Sequence, residues 1–232
     1  MRDAVENASP TGRVLRVRRR DSGDVTGRLY RRRRDGGDIP LRPRVTGTSG
    51  ASRDLVAEFL ARRPFYISHR LGGTEYPEFT QAGLDASLRS GFKALEISLR
   101  RCASGEYVMI HDWTTERVVS GTKLPIWSTP WDQLKTLRQA SGPFLRCTDL
   151  LEQIPDDIIL AVDHKVTSSK QDANSSDLQS ELDLYTLLDD AFNGHPERRV
   201  LWKHFVNAGS VDRAKARGYR SMCMLYPNEL AA

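Results

Sequence analysis

The sequence predicts an α/β fold, a TIM-type (β/α) barrel, on three observations. Short apolar runs alternate with helical patterns, most of the runs are apolar on both sides of the pleat, and several end in charged or imidazole side chains. Strands joined by crossover helices form a parallel sheet. Runs that are apolar on both sides are strands covered by helices on one face and by a core on the other. A strand that ends in His-Arg or His-Asp has that end facing water or a ligand, and in barrels of this kind the strand ends are where chemistry is built.

The first expected element is a short amphipathic helix over 54–61. Strands are expected at 65–68, 94–99, 107–110, 158–162, 200–205 and 221–226. Helices are expected at 80–90, at 129–138 with Pro130 in its first turn, at 148–154 opened by a Thr148 cap, at 177–192, and at 210–218 closed by Gly218. A closed eight-stranded barrel takes about 250 residues, whereas 168 residues run from Phe65 to Ala232. The expectation is therefore a barrel of about six of eight strands, incomplete at its C-terminal end: either the sheet stays open or the chain is a fragment of a longer product.

Charge divides the 232 residues unevenly. Residues 1–60 hold fourteen Arg and no Lys against eight acidic residues, about +6, while the whole chain carries +5. The basic character thus belongs to the N-terminal segment. With few aromatic residues and no sustained apolar periodicity, residues 1–53 cannot bury enough surface to offset the entropy of ordering, and a disordered extension is expected there. Residues 54–232 form the expected barrel domain. The runs Arg18-Arg19-Arg20 and Arg31 to Arg34 leave open a second use, an arm that binds nucleic acid or an anionic membrane. No interleaved aromatic residues support that use, so nucleic acid is not the expected partner. No apolar run is long enough to cross a bilayer and no secretory leader is evident, so a cytoplasmic protein is expected. Cys102, Cys147 and Cys223 lack any Cys-x-x-Cys pairing and read as buried small apolar residues.

Four strand ends carry candidate chemistry. His69 and Arg70 follow the first expected strand, and Gly72 and Gly73 after them allow a tight turn. A forked guanidinium beside an imidazole suits a phosphate that must be held while a proton moves. In the second strand, alternation puts Glu96 and Ser98 on one face, where two oxygen donors can hold a hard cation such as Mg²⁺ or Ca²⁺. His111 and Asp112 end the third strand. Asp163 and Lys165 share one face at the end of the fourth, where Asp163 can hold a cation and Lys165 a phosphate oxygen. Each residue also has a plainer explanation: Glu96 as a strand-end charge, Asp112 as a turn cap, Asp163 with Lys165 as a surface ion pair worth little. Taken jointly the plainer explanations do poorly, since all four ends would carry such groups by chance.

In order and spacing these segments resemble the glycerophosphodiester phosphodiesterase family, which is similar in fold to phosphatidylinositol-specific phospholipase C. The resemblance runs through His69-Arg70 with Gly72-Gly73, Tyr76 to Thr80, Leu95 to Ser98, Val108 to Asp112 with Val119 to Thr122, and Asp163-His164-Lys165. It implies that His69 and His111 are an acid/base pair, that Arg70 and Lys165 bind the phosphate, and that Glu96, Asp163 and, weakly, Ser98 hold a divalent cation. Glu78 and Asp112 would support these groups from behind. The implied reaction is hydrolysis of a small glycerophosphodiester to glycerol 3-phosphate and an alcohol, a step of lipid metabolism. Two other readings stay open: a truncated, inactive remnant of such an enzyme, and a module that binds through its basic segment. The chain departs from the family pattern in three places. Ser98 stands where the family usually has Asp, Asp163 where it commonly has Glu, and Phe79 where it commonly has Asn. A Trp-bearing last strand usual in the family has no counterpart.

Overall fold

The computed structural model describes the backbone at residues 7–8, 13–19, 25–32, 38–40, 53–140, 142–165, 175–205 and 210–224. The chain divides into two compact units, Met1–Ser52 and Arg53–Ala232. In the first unit β1 (Asn7–Ala8), β2 (Arg13–Arg19), β3 (Val25–Arg32) and β4 (Asp38–Pro40) pair antiparallel in chain order. Where composition predicts a disordered extension over 1–53, these four segments pair as strands; the residues between them lie outside those described.

The second unit opens with α1 (Leu55–Ala61), whose N-cap Asp54 accepts from the Ala57 amide at 2.9 Å. Asp54 also receives both arms of Arg220, at 3.0 and 2.8 Å, which ties the start of the unit to its last strand. Then come α2 (Gln81–Arg89), β5 (Ala94–Arg101), β6 (Tyr107–Met109), α3 (Trp131–Leu134), β7 (Arg138–Gln139) and β8 (Gly142–Pro143). They are followed by α4 (Cys147–Leu151), β9 (Ile159–His164), α5 (Ser175–Ala191), β10 (Val200–Phe205), α6 (Ser210–Ala216) and β11 (Arg220–Met224). The main sheet has the order β11-β10-β9-β5-β6, with every pairing parallel except β5 with β6.

Several expectations need correction. The expected strand at 65–68 contributes one ladder residue, Ser68, which bridges Leu95, while Phe65 and Tyr66 stand exposed. The strand ending at His111 runs antiparallel, because the few residues between Arg101 and Tyr107 permit a hairpin and not a crossover. The helix expected at 129–138 is cut to four residues, since Arg138 and Gln139 turn back to pair with Gly142 and Pro143. Helix α4 is capped two residues early: the Arg146 amide donates to Asp149 Oδ2 at 2.9 Å, and Thr148 lies inside. Cys102 and Cys147 are buried as expected, but Cys223 is exposed on the outermost strand of the sheet.

The alternation of β5, β9 and β10 builds two different faces. Leu95, Ile97, Leu99, Leu160, Val162, Val200 and Trp202 pack against Leu84 of α2, Leu184, Tyr185 and Leu188 of α5 and Ala214 of α6. On the other face, Ala94, Ile159, Ala161 and Leu201 meet Val56 and Phe59 of α1. Pairing stacks that face into layers: Ala94 beside Ile159, then Glu96 beside Ala161 beside Leu201, then Ser98 beside Asp163 beside Lys203. An apolar floor plugged by α1 therefore supports a polar tier two residues higher. The side chains that face inward from parallel strands form such layers in barrels.

Candidate active site

Two histidine-bearing segments meet on one edge of β5 from opposite directions. Ser68 arrives parallel to it, donating to the Ala94 carbonyl and accepting from the Glu96 amide, both at 2.9 Å. Ile110 arrives antiparallel and donates to the Ser98 carbonyl at 3.1 Å. His69 therefore leaves the edge just past Leu95, and His111 leaves it just past Ser98, coming the other way. The antiparallel course of β6 brings the His111 segment back along the edge of β5 that Ser68 also joins.

The chain after Ser68 makes a 3₁₀ turn at His69–Leu71 with unusual backbone. Arg70, Leu71 and Phe79 have φ of 49°, 65° and 54°, a region that bulky side chains avoid at a cost of order 1–3 kcal/mol each. Complete burial of Leu71 and Phe79 in the helix-side core holds them there, and the Phe79 amide donates to the Arg70 carbonyl at 3.0 Å. Asn tolerates this conformation well, so Phe79 keeps the geometry by packing. Gly72 is required by a close approach to Tyr76, whose Cβ lies 2.7 Å from where a Gly72 Cβ would stand.

A chain of charged hydrogen bonds links the turn to His111. Arg70 Nη1 donates to Glu78 Oε2 at 2.6 Å, Arg117 Nη2 donates to Glu78 Oε1 at 2.7 Å, and Arg117 Nε donates to Asp112 Oδ2 at 2.5 Å. Asp112 Oδ1 lies 2.8 Å from His111 Nδ1. The two arginines hold Glu78 below the usual carboxylate range, against burial, which acts the other way. Against the same opposing effect of burial, hydrogen bonds from Arg117 and His111 keep Asp112 low. An ionised Asp112 needs a donor, so the proton of neutral His111 sits on Nδ1 and the Nε2 lone pair is free to accept. Burial, with Lys165 and Arg70 adding to it, lowers the His111 pKa against the pull of Asp112. The Arg100 guanidinium donates to the His111 carbonyl at 2.9 and 3.2 Å and stacks on Trp113 at 3.8 Å. Beside this network a cleft of about 350 Å³ is lined by His69, Arg70, Thr74, Tyr76, Glu78 and Arg117, among others.

The polar tier inside the sheet is a second charged cluster. Glu96 Oε2 accepts from the Arg70 amide at 2.7 Å and lies 3.8 Å from His69 Nε2. Glu96 Oε1 accepts from Lys203 Nζ at 2.5 Å, and the same ammonium stands 3.4 Å from Asp163 Oδ2. Lys165 Nζ donates to Asp163 Oδ2 at 2.7 Å, and Ser98 Oγ lies 3.4 Å from that oxygen. Burial pulls the Lys165 pKa down while Asp163 raises it. The Asp163–Lys165 pair is thus an interior feature, not the exposed pair that one plainer explanation supposes.

All nine residues singled out from the sequence fall into these two connected groups: Arg70, Glu78, His111 and Asp112 in the network, Ser98, Asp163 and Lys165 in the cluster, and His69 and Glu96 where the two meet. Two further participants, Lys203 and Arg117, lie beyond these nine. Lys203 lies within the apolar run expected as a strand, and its spacing of two from Leu201 marks it as facing inward. Arg117 sits in a loop, where no periodicity marks it.

The fold is that of the TIM-barrel phosphodiesterases: the glycerophosphodiester phosphodiesterase of Thermotoga maritima superposes with a TM-score of 0.54 at 16% identity, covering 74% of this chain and 66% of that one. The glycerophosphoryl diester phosphodiesterase family matches residues 69–222, and the chain belongs to that family. Curated relatives align over shorter stretches. "Glycerophosphodiester phosphodiesterase 1" of Bos taurus is 32% identical over 89 residues, 38% of this chain and 27% of that protein. "Probable glycerophosphodiester phosphodiesterase 1" of Mycobacterium tuberculosis is 34% identical over 67 residues, 29% of this chain and 24% of that protein. The chain spans about a quarter of the length of the curated relatives it matches.

Enzymes of the family generally depend on a divalent cation, which needs several converging oxygen donors. The expected ligands Glu96, Asp163 and Ser98 do come together, but Lys203 stands between the two carboxylates and Ser98 brings a neutral hydroxyl in place of a third carboxylate. Among the described residues no group of three or more His, Cys, Asp or Glu side chains is placed to hold a metal. Two carboxylates and two ammoniums already balance, so a divalent ion would leave two uncompensated charges in a buried site. The residues present do not fit Mg²⁺ or Ca²⁺. Also among the described residues, no helix is long and apolar enough to cross a membrane.

Proposed function

We propose that this chain hydrolyses small glycerophosphodiesters, releasing glycerol 3-phosphate and an alcohol such as choline or ethanolamine, as part of lipid metabolism. The observation that carries the proposal is that the segments bearing His69 and His111 meet one edge of β5, where Glu96 accepts from the Arg70 amide and lies 3.8 Å from His69. Arg70 and Lys165 draw the phosphodiester in and offset the charge that builds on its free oxygens. His111, neutral and oriented by Asp112, takes the proton of the attacking hydroxyl, either water or the neighbouring glycerol hydroxyl, as the new P–O bond forms. His69, with Glu96 as counter-charge, gives its proton to the leaving alcohol oxygen as the old P–O bond breaks. Where the glycerol hydroxyl attacks, water opens the cyclic phosphate with the two imidazoles in exchanged roles.

The test is release of choline and glycerol 3-phosphate from glycerophosphocholine, assayed with Mg²⁺, with Ca²⁺ and with EDTA. Turnover in at least one condition, lost in His69→Ala, is the expected result. Absence of product in all three, or an undiminished rate in His69→Ala, overturns the proposal.

A further inference from the structure

Lys203 lies in the middle of β10 and points into the polar tier, beside Asp163 in the register. Its side chain is 7% exposed, so its charge is compensated by Glu96 at 2.5 Å and Asp163 at 3.4 Å and hardly at all by water. These are the two carboxylates that the family resemblance assigns to a metal. We propose that the Lys203 ammonium is the resident cation of this site, standing where a divalent ion would otherwise be held, so that the chain binds no Mg²⁺ or Ca²⁺ there.

Charge and donor count agree. A site with three carboxylates and one Lys calls for two positive charges to reach neutrality. Here Ser98 removes one negative charge and Lys203 adds one positive charge, and Glu96 and Asp163 against Lys165 and Lys203 sum to zero without an ion. Ser98 and Lys203 lie on opposite sides of Asp163 in one layer, so the two changes compensate through a shared neighbour. Each Glu96 oxygen already accepts a hydrogen bond, one from Lys203 and one from the Arg70 amide. Electrostatically an ammonium performs part of what an ion would, since it fixes Glu96 beside His69 and Asp163 beside Lys165. It adds no open coordination position, so substrate oxygens are left to Arg70 and Lys165. That consequence for catalysis rests on the phosphodiesterase proposal, whereas the binding statement does not.

The experiment is a thermal melt of the metal-stripped full chain against Mg²⁺ and Ca²⁺, with calorimetric titration of each ion, for wild type and Lys203→Gln. An ion at about a hundred times its Kd raises the Tm of a domain this size by several degrees. Wild type is expected to show no such rise and no one-equivalent isotherm. Lys203→Gln, with Glu96 and Asp163 released, is expected to gain a rise with at least one ion. A one-equivalent site with a raised Tm in wild type overturns the proposal, and this readout stands even if the variant does not fold. A folded Lys203→Gln that responds to neither ion also overturns it. If wild type binds no ion and cleaves no glycerophosphodiester, the Lys203 assignment survives and the phosphodiesterase proposal falls; if it cleaves while binding an ion, the reverse holds.

Discussion

The rim network and the interior cluster use the same chemical groups to different ends. On the rim, Arg70, Glu78, Arg117, Asp112 and His111 are linked at 2.5 to 2.8 Å, and the imidazoles of His69 and His111 stay 61% and 35% exposed. Inside, the Glu96, Asp163, Lys165 and Lys203 side chains are at most 10% exposed. Groups that exchange protons must remain reachable, while groups that set charge can be buried, where water screens them least. Each ion pair therefore has a different value in the two places.

The largest effect expected from breaking this contrast is on the rim. His111→Ala should cut kcat on glycerophosphocholine by about 10²–10⁴, with a melting curve close to wild type. An equal fall in folded fraction would mean that the imidazole is structural. The opposite pattern is expected inside. Asp163→Asn leaves Lys165 and Lys203 to share Glu96, and should cost about 3–5 kcal/mol in urea unfolding, as breaking one partner of a buried pair does. A cost under about 1 kcal/mol would show that the cluster behaves as a surface.

A smaller change separates positioning from stability within the rim. Arg117→Ala removes the bridge from Glu78 to Asp112 and should lower kcat about tenfold through misplaced groups. Its stability cost should stay under about 1 kcal/mol, because Arg117 is half exposed. The smallest effect concerns pH. The folded His111 pKa lies below its ordinary value of 6.5, so the acid limb of kcat/KM should fall below that pH. The neutral form is the one folding favours, so its stabilising contribution is present above the ordinary value and is lost as pH falls through the folded one. Asp112→Asn removes a group that raises this pKa and should move the acid limb lower still; a shift upward would remove Asp112 from its assigned place.

The parts legible in the sequence were those set by alternation along a strand. Glu96 and Ser98 share a face because they are two residues apart, as do Asp163 and Lys165, and the structure keeps both pairs. What escaped depends on neighbours distant in the chain. Lys203 gains meaning only when parallel register sets it beside Asp163, forty residues away. The direction of β6 follows from a turn too short for a crossover, and Arg117 matters because a loop folds back onto Glu78.

The β5–β6 hairpin is also a ruler. Side chains alternate along β6, so removing one residue between Tyr107 and Ile110 while keeping the pairing would bring Asp112 to the point where His111 now leaves Ser98. A carboxylate would then replace the imidazole, and the Arg100 hold on the His111 carbonyl would pass to the wrong peptide. The hairpin accordingly constrains chain length as tightly as it constrains residue identity: over these few positions, a deletion is a substitution of the reactive group.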